Sequence, residues 1–62
     1  MIGYYKIEMI LNGKDRRDIE FGYNAQDAVD HVRRDWAYMG ELKITRVYKD
    51  CGNRWEITEA WD

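Results

Sequence analysis

The sequence predicts an α+β fold of order ββαββ: a four-stranded, mainly antiparallel sheet with one helix packed on one face. Three observations predict it. Two stretches near the N-terminal end alternate apolar and polar residues around an Asn-Gly pair. Residues 24–40 carry an apolar stripe of helical period with a cap at each end. Two further strand-like stretches follow, joined by the turn sequence "DCGN". A chain of 62 residues leaves room for one small α+β domain, residues 1–62, near the lower limit for independent folding.

The first strand is "YYKIEMIL", with Tyr5, Ile7, Met9 and Leu11 on one face and Tyr4, Lys6, Glu8 and Ile10 on the other. "RRDIEFGY" opposes Arg17, Ile19, Phe21 and Tyr23 to Arg16, Asp18, Glu20 and Gly22. Asn12-Gly13 between them is the strongest short hairpin signal. Directly paired residues point the same way, so burying both odd-numbered sets together requires Ile10 to pair with Lys14. That pairing calls for a three-residue turn, Leu11-Asn12-Gly13, with Gly13 left-handed. A two-residue turn would pair Leu11 with Lys14 and separate the two apolar sets.

The helix follows. Asn24 suits the N-cap, Asp27 stands three residues on as in a capping box, and Tyr23 is placed to staple onto Ala28. Gly40 suits the position just past the C-terminus. Ala25, Ala28, Val29, Val32, Trp36 and Met39 fall within one stripe about 100° wide. "LKITRVYK" and "RWEITEAW" are the remaining strands. In the former, Leu42, Ile44 and Tyr48 share a face, but Arg46 interrupts them and Val47 points away. Either Arg46 lies where the helix does not cover the sheet, or a bulge near Thr45 re-aims Val47 inward. One helix joining strands 2 and 3 makes them run the same way. Order 2-1-3-4 then keeps every neighbour antiparallel, whereas 1-2-3-4 needs a parallel central pair. The expected core is Ile7, Met9, Ile19, Phe21, Ala28, Val29, Val32, Trp36, Met39, Leu42, Ile44, Tyr48, Trp55, Ile57 and Trp61.

Composition narrows the function. Twelve acidic against ten basic residues give a net charge of −2, with no general attraction to nucleic acid or anionic lipid. The first fourteen residues carry Lys6 and Glu8 inside their apolar run, unlike a signal peptide or membrane span. One cysteine forms no internal disulfide and suits a reducing, cytoplasmic setting.

The only histidine, His31, lies among Asp27, Asp30, Arg33, Arg34 and Asp35. Asp27, His31 and Asp35 share the spacing of helical metal ligands. On a convex surface, however, they lack the converging elements and supporting shell of a metal centre. The expectation is a solvated helix face with Asp27–His31 and Asp30–Arg34 pairs, pointing away from the sheet, and no metal or cofactor. Cys51 would need a base within hydrogen-bond reach, and His31, the only imidazole, is expected to point away from the sheet that carries it, so no catalytic residue is assigned. An RNA-reading sheet places aromatic and basic residues in the middle of its open face. Here that face is expected to hold Tyr4, Lys6, Glu8, Arg16, Asp18, Glu20, Lys43, Thr45, Lys49, Arg54, Glu56 and Thr58, with Tyr4 its one evident aromatic. Nucleic-acid binding is therefore an alternative rather than the expectation.

The leading expectation is a small non-enzymatic protein-interaction module. Adaptors, inhibitors and accessory factors of the kind phages and mobile elements encode act in this way, by surface contact. The candidate partner-binding residues are Tyr4, Arg34, Tyr38 and Trp61, aromatics beside charge of the type that forms hot spots. A homodimer or larger homo-oligomer is a further alternative, because a small core leaves sheet edges that a second copy can cover.

Overall fold

The computed structural model describes residues 2–58. Its elements follow the predicted order: β1 (Gly3–Leu11), β2 (Lys14–Gly22), α1 (Ala25–Trp36), a 3₁₀ turn (Ala37–Met39), β3 (Leu42–Asp50) and β4 (Trp55–Ile57). The strands form one sheet in the order β2-β1-β3-β4, and every neighbouring pair is antiparallel. Among the described residues no helix is long and apolar enough to cross a membrane. The expected fourth strand ran to Trp61, whose place in the strand and in the core lies outside the described residues.

The β1–β2 turn corrects the expected register. Asn12 (φ 53°) and Gly13 (φ 80°) are both left-handed, so the turn is the two-residue kind that matches the twist of a hairpin. Leu11 pairs with Lys14, Ile7 with Asp18, and Tyr5 with Glu20. Tyr5, Ile7, Met9 and Leu11 are buried beneath the helix. Ile19 and Phe21 stand instead on the opposite face, with Lys6 and Tyr4 as their partners. Arg16, Asp18 and Glu20 take the helix side, the reverse of the sequence expectation.

A bulge settles the question left open in β3. The β1–β3 register shifts between Glu8 and Met9, where Glu8 pairs with Arg46 and Met9 with Ile44. Thr45 is the extra residue, and its Oγ1 donates to the Glu8 carbonyl over 3.0 Å. The shift turns Val47 into the core and sends Tyr48 to the open face. Pairing with β4 carries Ile57 and Trp55 to that face as well, opposite Tyr48 and Asp50.

The core is accordingly smaller than expected. Tyr5, Ile7, Met9, Ala28, Val29, Val32, Ile44 and Val47 form it, with Ala25, Trp36 and Leu42 packed partly against it. Ile19, Phe21, Trp55, Ile57 and Met39 are exposed. Met39 falls outside the core because the α-helix ends at Trp36 and tightens into the 3₁₀ turn, which breaks the helical period.

Asn24 caps the N-terminus as predicted, whereas the Asp27 carboxylate reaches one residue beyond the cap, to the Tyr23 amide rather than that of Asn24. Asn24 Oδ1 accepts from the Asp27 amide over 2.8 Å, and Asp27 Oδ2 accepts from the Tyr23 amide over 3.0 Å. Gly22 lets the strand end pass close beneath the helix start: a Cβ there would lie 2.9 Å from the Ala28 nitrogen. At the other end, Asn12 clasps the α1–β3 connection. Its Nδ2 donates to the Met39 carbonyl over 3.0 Å, its Oδ1 accepts from the Glu41 amide over 3.0 Å, and its own amide donates to Glu41 O over 2.8 Å.

Candidate interaction surface

The helix covers one face of the sheet and leaves the other open. On the open face, strand pairing assembles two adjacent cross-strand rows. One runs Ile19, Lys6, Tyr48, Ile57 across all four strands. In the next, Phe21 pairs with Tyr4 on one side of the sheet and Asp50 with Trp55 on the other. Ile57 is 65% exposed, Ile19 57% and Tyr4 53%. Tyr4 and Phe21 meet edge to face, with ring centroids 4.9 Å apart. Exposed apolar side chains are ordinary when scattered, but these are contiguous.

Lys6 stands in the middle of the patch. Its ammonium lies 4.5 Å from the Tyr48 ring centroid and 5.5 Å from that of Trp55, within cation–π range of both. Beyond Lys6 along the sheet the face becomes polar. Glu8 pairs with Arg17 and Arg46 across the strands, and Arg46 Nη1 lies 3.7 Å from Glu8 Oε1. A shallow depression of about 710 Å³ adjoins the bulge, lined by Met9, Asp15 and Arg16 as well as Glu8, Arg17, Thr45 and Arg46. The face thus has an apolar centre bordered by paired charges.

The residues singled out from sequence do not converge. Tyr4 belongs to the patch. Arg34 is exposed on α1, and Tyr38, 82% exposed, lies in the 3₁₀ turn. The helix packs on the other face of the sheet, so neither shares a surface with Tyr4. Trp61 lies outside the described residues. The sequence pattern alone places Phe21, Ile19, Tyr48, Trp55 and Ile57 in the core and Lys6 on a solvated face. Two signals find them: the two-residue Asn-Gly turn sets Phe21 beside Tyr4 and Ile19 beside Lys6, and the bulge near Thr45 brings Tyr48, and with it Ile57 and Trp55, to the same face.

His31 corrects another expectation. It does not point away from the sheet: its Nδ1 donates to the Phe21 carbonyl over 3.0 Å, while its Nε2 lies 3.5 Å from Asp27 Oδ1. The imidazole ties α1 to the end of β2. Trp36 makes a second tie along the same flank, its Nε1 donating to Asp18 Oδ2 over 3.2 Å with the Arg16 guanidinium over its ring. Partial burial, with Asp18 and Asp35 nearby, raises the pKa of Glu20 on this flank from its ordinary value. Among the described residues, no group of three His, Cys, Asp or Glu is placed to hold a metal ion.

No protein-family model matches the sequence, and no curated protein or solved structure matches the chain. The functional reading therefore rests on the geometry of the open face.

Proposed function

We propose that this chain is a small protein-interaction module that engages its partner through the open face of its sheet, without chemistry of its own. The observation that carries this reading is the contiguous patch of Tyr4, Ile19, Phe21, Tyr48, Trp55 and Ile57. Five of these are roughly half exposed; at about 200 Å² for a side chain of this size they present on the order of 500 Å². That is near the upper end for a monomer, where the largest patch is often functional. With its charged rim the face approaches the roughly 800 Å² that each partner contributes to a standard interface. The single cysteine suits a reducing, cytoplasmic setting for such a factor.

One observation favours a second reading. Aromatics on all four strands of an open sheet face, interleaved with Lys6, Arg17 and Arg46, resemble the arrangement that stacks single-stranded nucleic acid. Three features favour protein instead. The Lys6 ammonium already lies over the rings of Tyr48 and Trp55. Glu8 and Asp50 stand on the same face, where they repel a polyanionic backbone. The most exposed members of the patch, Ile57 and Ile19, are aliphatic and do not stack.

Affinity capture from the cells that express the protein tests the location, with Ile19→Asp, Ile57→Asp and Tyr38→Ala compared at matched folding. The expected result is a partner retained by Tyr38→Ala and lost by both aspartate variants. A partner that ignores both aspartates but is lost with Tyr38→Ala moves the site to the helix side and overturns the proposal.

A further inference from the structure

We infer that the partner's docking segment presents one carboxylate, from Asp or Glu, set among apolar side chains, and that Lys6 receives it. This rests on the reading of the open face as a protein-binding surface and specifies its partner. Lys6 is the only charged residue in its cross-strand row, with Ile19 on one side and Tyr48 and Ile57 on the other. The ammonium is held over two aromatic rings and makes no ion pair with any described residue. Among the described residues, the carboxylates that flank Lys6 on this face are engaged elsewhere: Glu8 lies beside Arg46, and Asp50 Oδ1 accepts from the Gly52 amide over 3.0 Å.

In the free protein, water completes the solvation of the ammonium. A partner that covers the patch removes that water, and a buried unpaired charge is strongly unfavourable. The rings hold the lysine head within the patch, so the partner has to bring the counter-charge to it. A carboxylate does so with a charge-assisted hydrogen bond in a water-poor setting. One anion is called for rather than a row of them, because Glu8 and Asp50 flank the site. A second copy of this chain does not fit. A two-fold axis through the patch brings the two Lys6 ammoniums toward each other, and among the described residues Glu8 and Asp50, the carboxylates that flank Lys6 on this face, are already engaged.

Selection of a random twelve-residue peptide library on the immobilised protein supplies the probe. Enriched peptides are resynthesised and their affinities measured against wild type, Lys6→Met and Ile19→Asp. Methionine keeps an apolar stem and removes the charge. The expected peptides share one acidic residue between apolar ones and lose binding to Ile19→Asp. Lys6→Met and replacement of the peptide acid by its amide each weaken binding at least tenfold, and both together weaken it no further than either alone. Peptides that need Ile19 but carry no acid, or that bind Lys6→Met as tightly as wild type, overturn the carboxylate inference and leave the docking face standing. If no peptide is sensitive to Ile19→Asp while a dT12 or U12 oligonucleotide is, the protein-binding reading falls with it. A dimer dispersed by Ile19→Asp in sedimentation, with no sensitive peptide, overturns both in favour of self-association.

Discussion

At Cys51 the thiol donates to Glu56 Oε1 over 3.0 Å, and Arg54 donates to the other carboxylate oxygen of Glu56 over 2.7 Å. The hydrogen bond to Glu56 is the main cause that raises the thiol's pKa, with slight desolvation and the carboxylate's charge adding to it. Lys49 and Arg54 pull the other way and do not prevail. A raised pKa leaves less thiolate at any pH below it, and the thiolate is the species that reacts. Cys51 is therefore expected to alkylate with iodoacetamide more slowly at pH 8 than a free cysteine, with its pH–rate curve displaced upward. Glu56→Ala removes the acceptor and the charge while leaving Lys49 and Arg54 in place. That variant is expected to react several-fold faster at pH 8; an unchanged rate would mean that Glu56 does not control the thiol. At the same scale, the place of His31 is set by a backbone group. On a helical wheel it sits opposite the apolar stripe, but β2 curls up beside the helix and offers the Phe21 carbonyl, a backbone group that no side-chain pattern records.

Between elements, the Asn12–Gly13 turn has two tasks. It reverses the chain with two left-handed residues, and the Asn12 side chain holds the connection between α1 and β3. Asn12→Gly separates these tasks, because glycine adopts the positive φ freely but forms neither side-chain hydrogen bond. The variant is expected to lose about 1–3 kcal/mol, read as a lower midpoint in urea at unchanged slope. Gly40 is coupled to the same contact, since a Cβ at Gly40 would lie 2.0 Å from Asn12 Oδ1. Gly40→Ala should therefore cost less in the Asn12→Gly background than in wild type, although its φ of 145° leaves some cost in both. Simple additivity would show that the two residues do not meet. Sheet order, the helix and its N-cap, and one of the two options for β3 were legible in the sequence, because each follows from a local signal or a connection rule. The facing of β2 was not. Alternation says that a strand has two faces without saying which one is covered, and in "RRDIEFGY" the two-residue turn, not the apolar set, decides the facing. The same misjudged register hid the candidate surface: with Ile19 and Phe21 taken as core, Tyr4 looked like a lone aromatic.

The whole molecule divides its hydrophobic residues between two sides of one sheet, and the two sets are expected to behave differently when altered. Ile7 and Ile44 are fully buried between sheet and helix, so truncating either to alanine should cost about 2–5 kcal/mol. In a domain of this size a single core supplies on the order of 3–5 kcal/mol in all, and either change should abolish the cooperative melt. Ile19 and Ile57 have similar chemistry on the open face but are more than half exposed, and the helix does not depend on them. Ile19→Thr and Ile57→Thr keep the β-branch that suits a strand and should each shift stability by no more than about 0.5 kcal/mol. Threonine in their place would lessen the tendency of the face to associate. The double variant should accordingly melt with the wild type, remain soluble to higher concentration, and fail to hold the partner. If instead it unfolds, the patch is a second core that stabilises the sheet, and its exposure is no sign of a docking site.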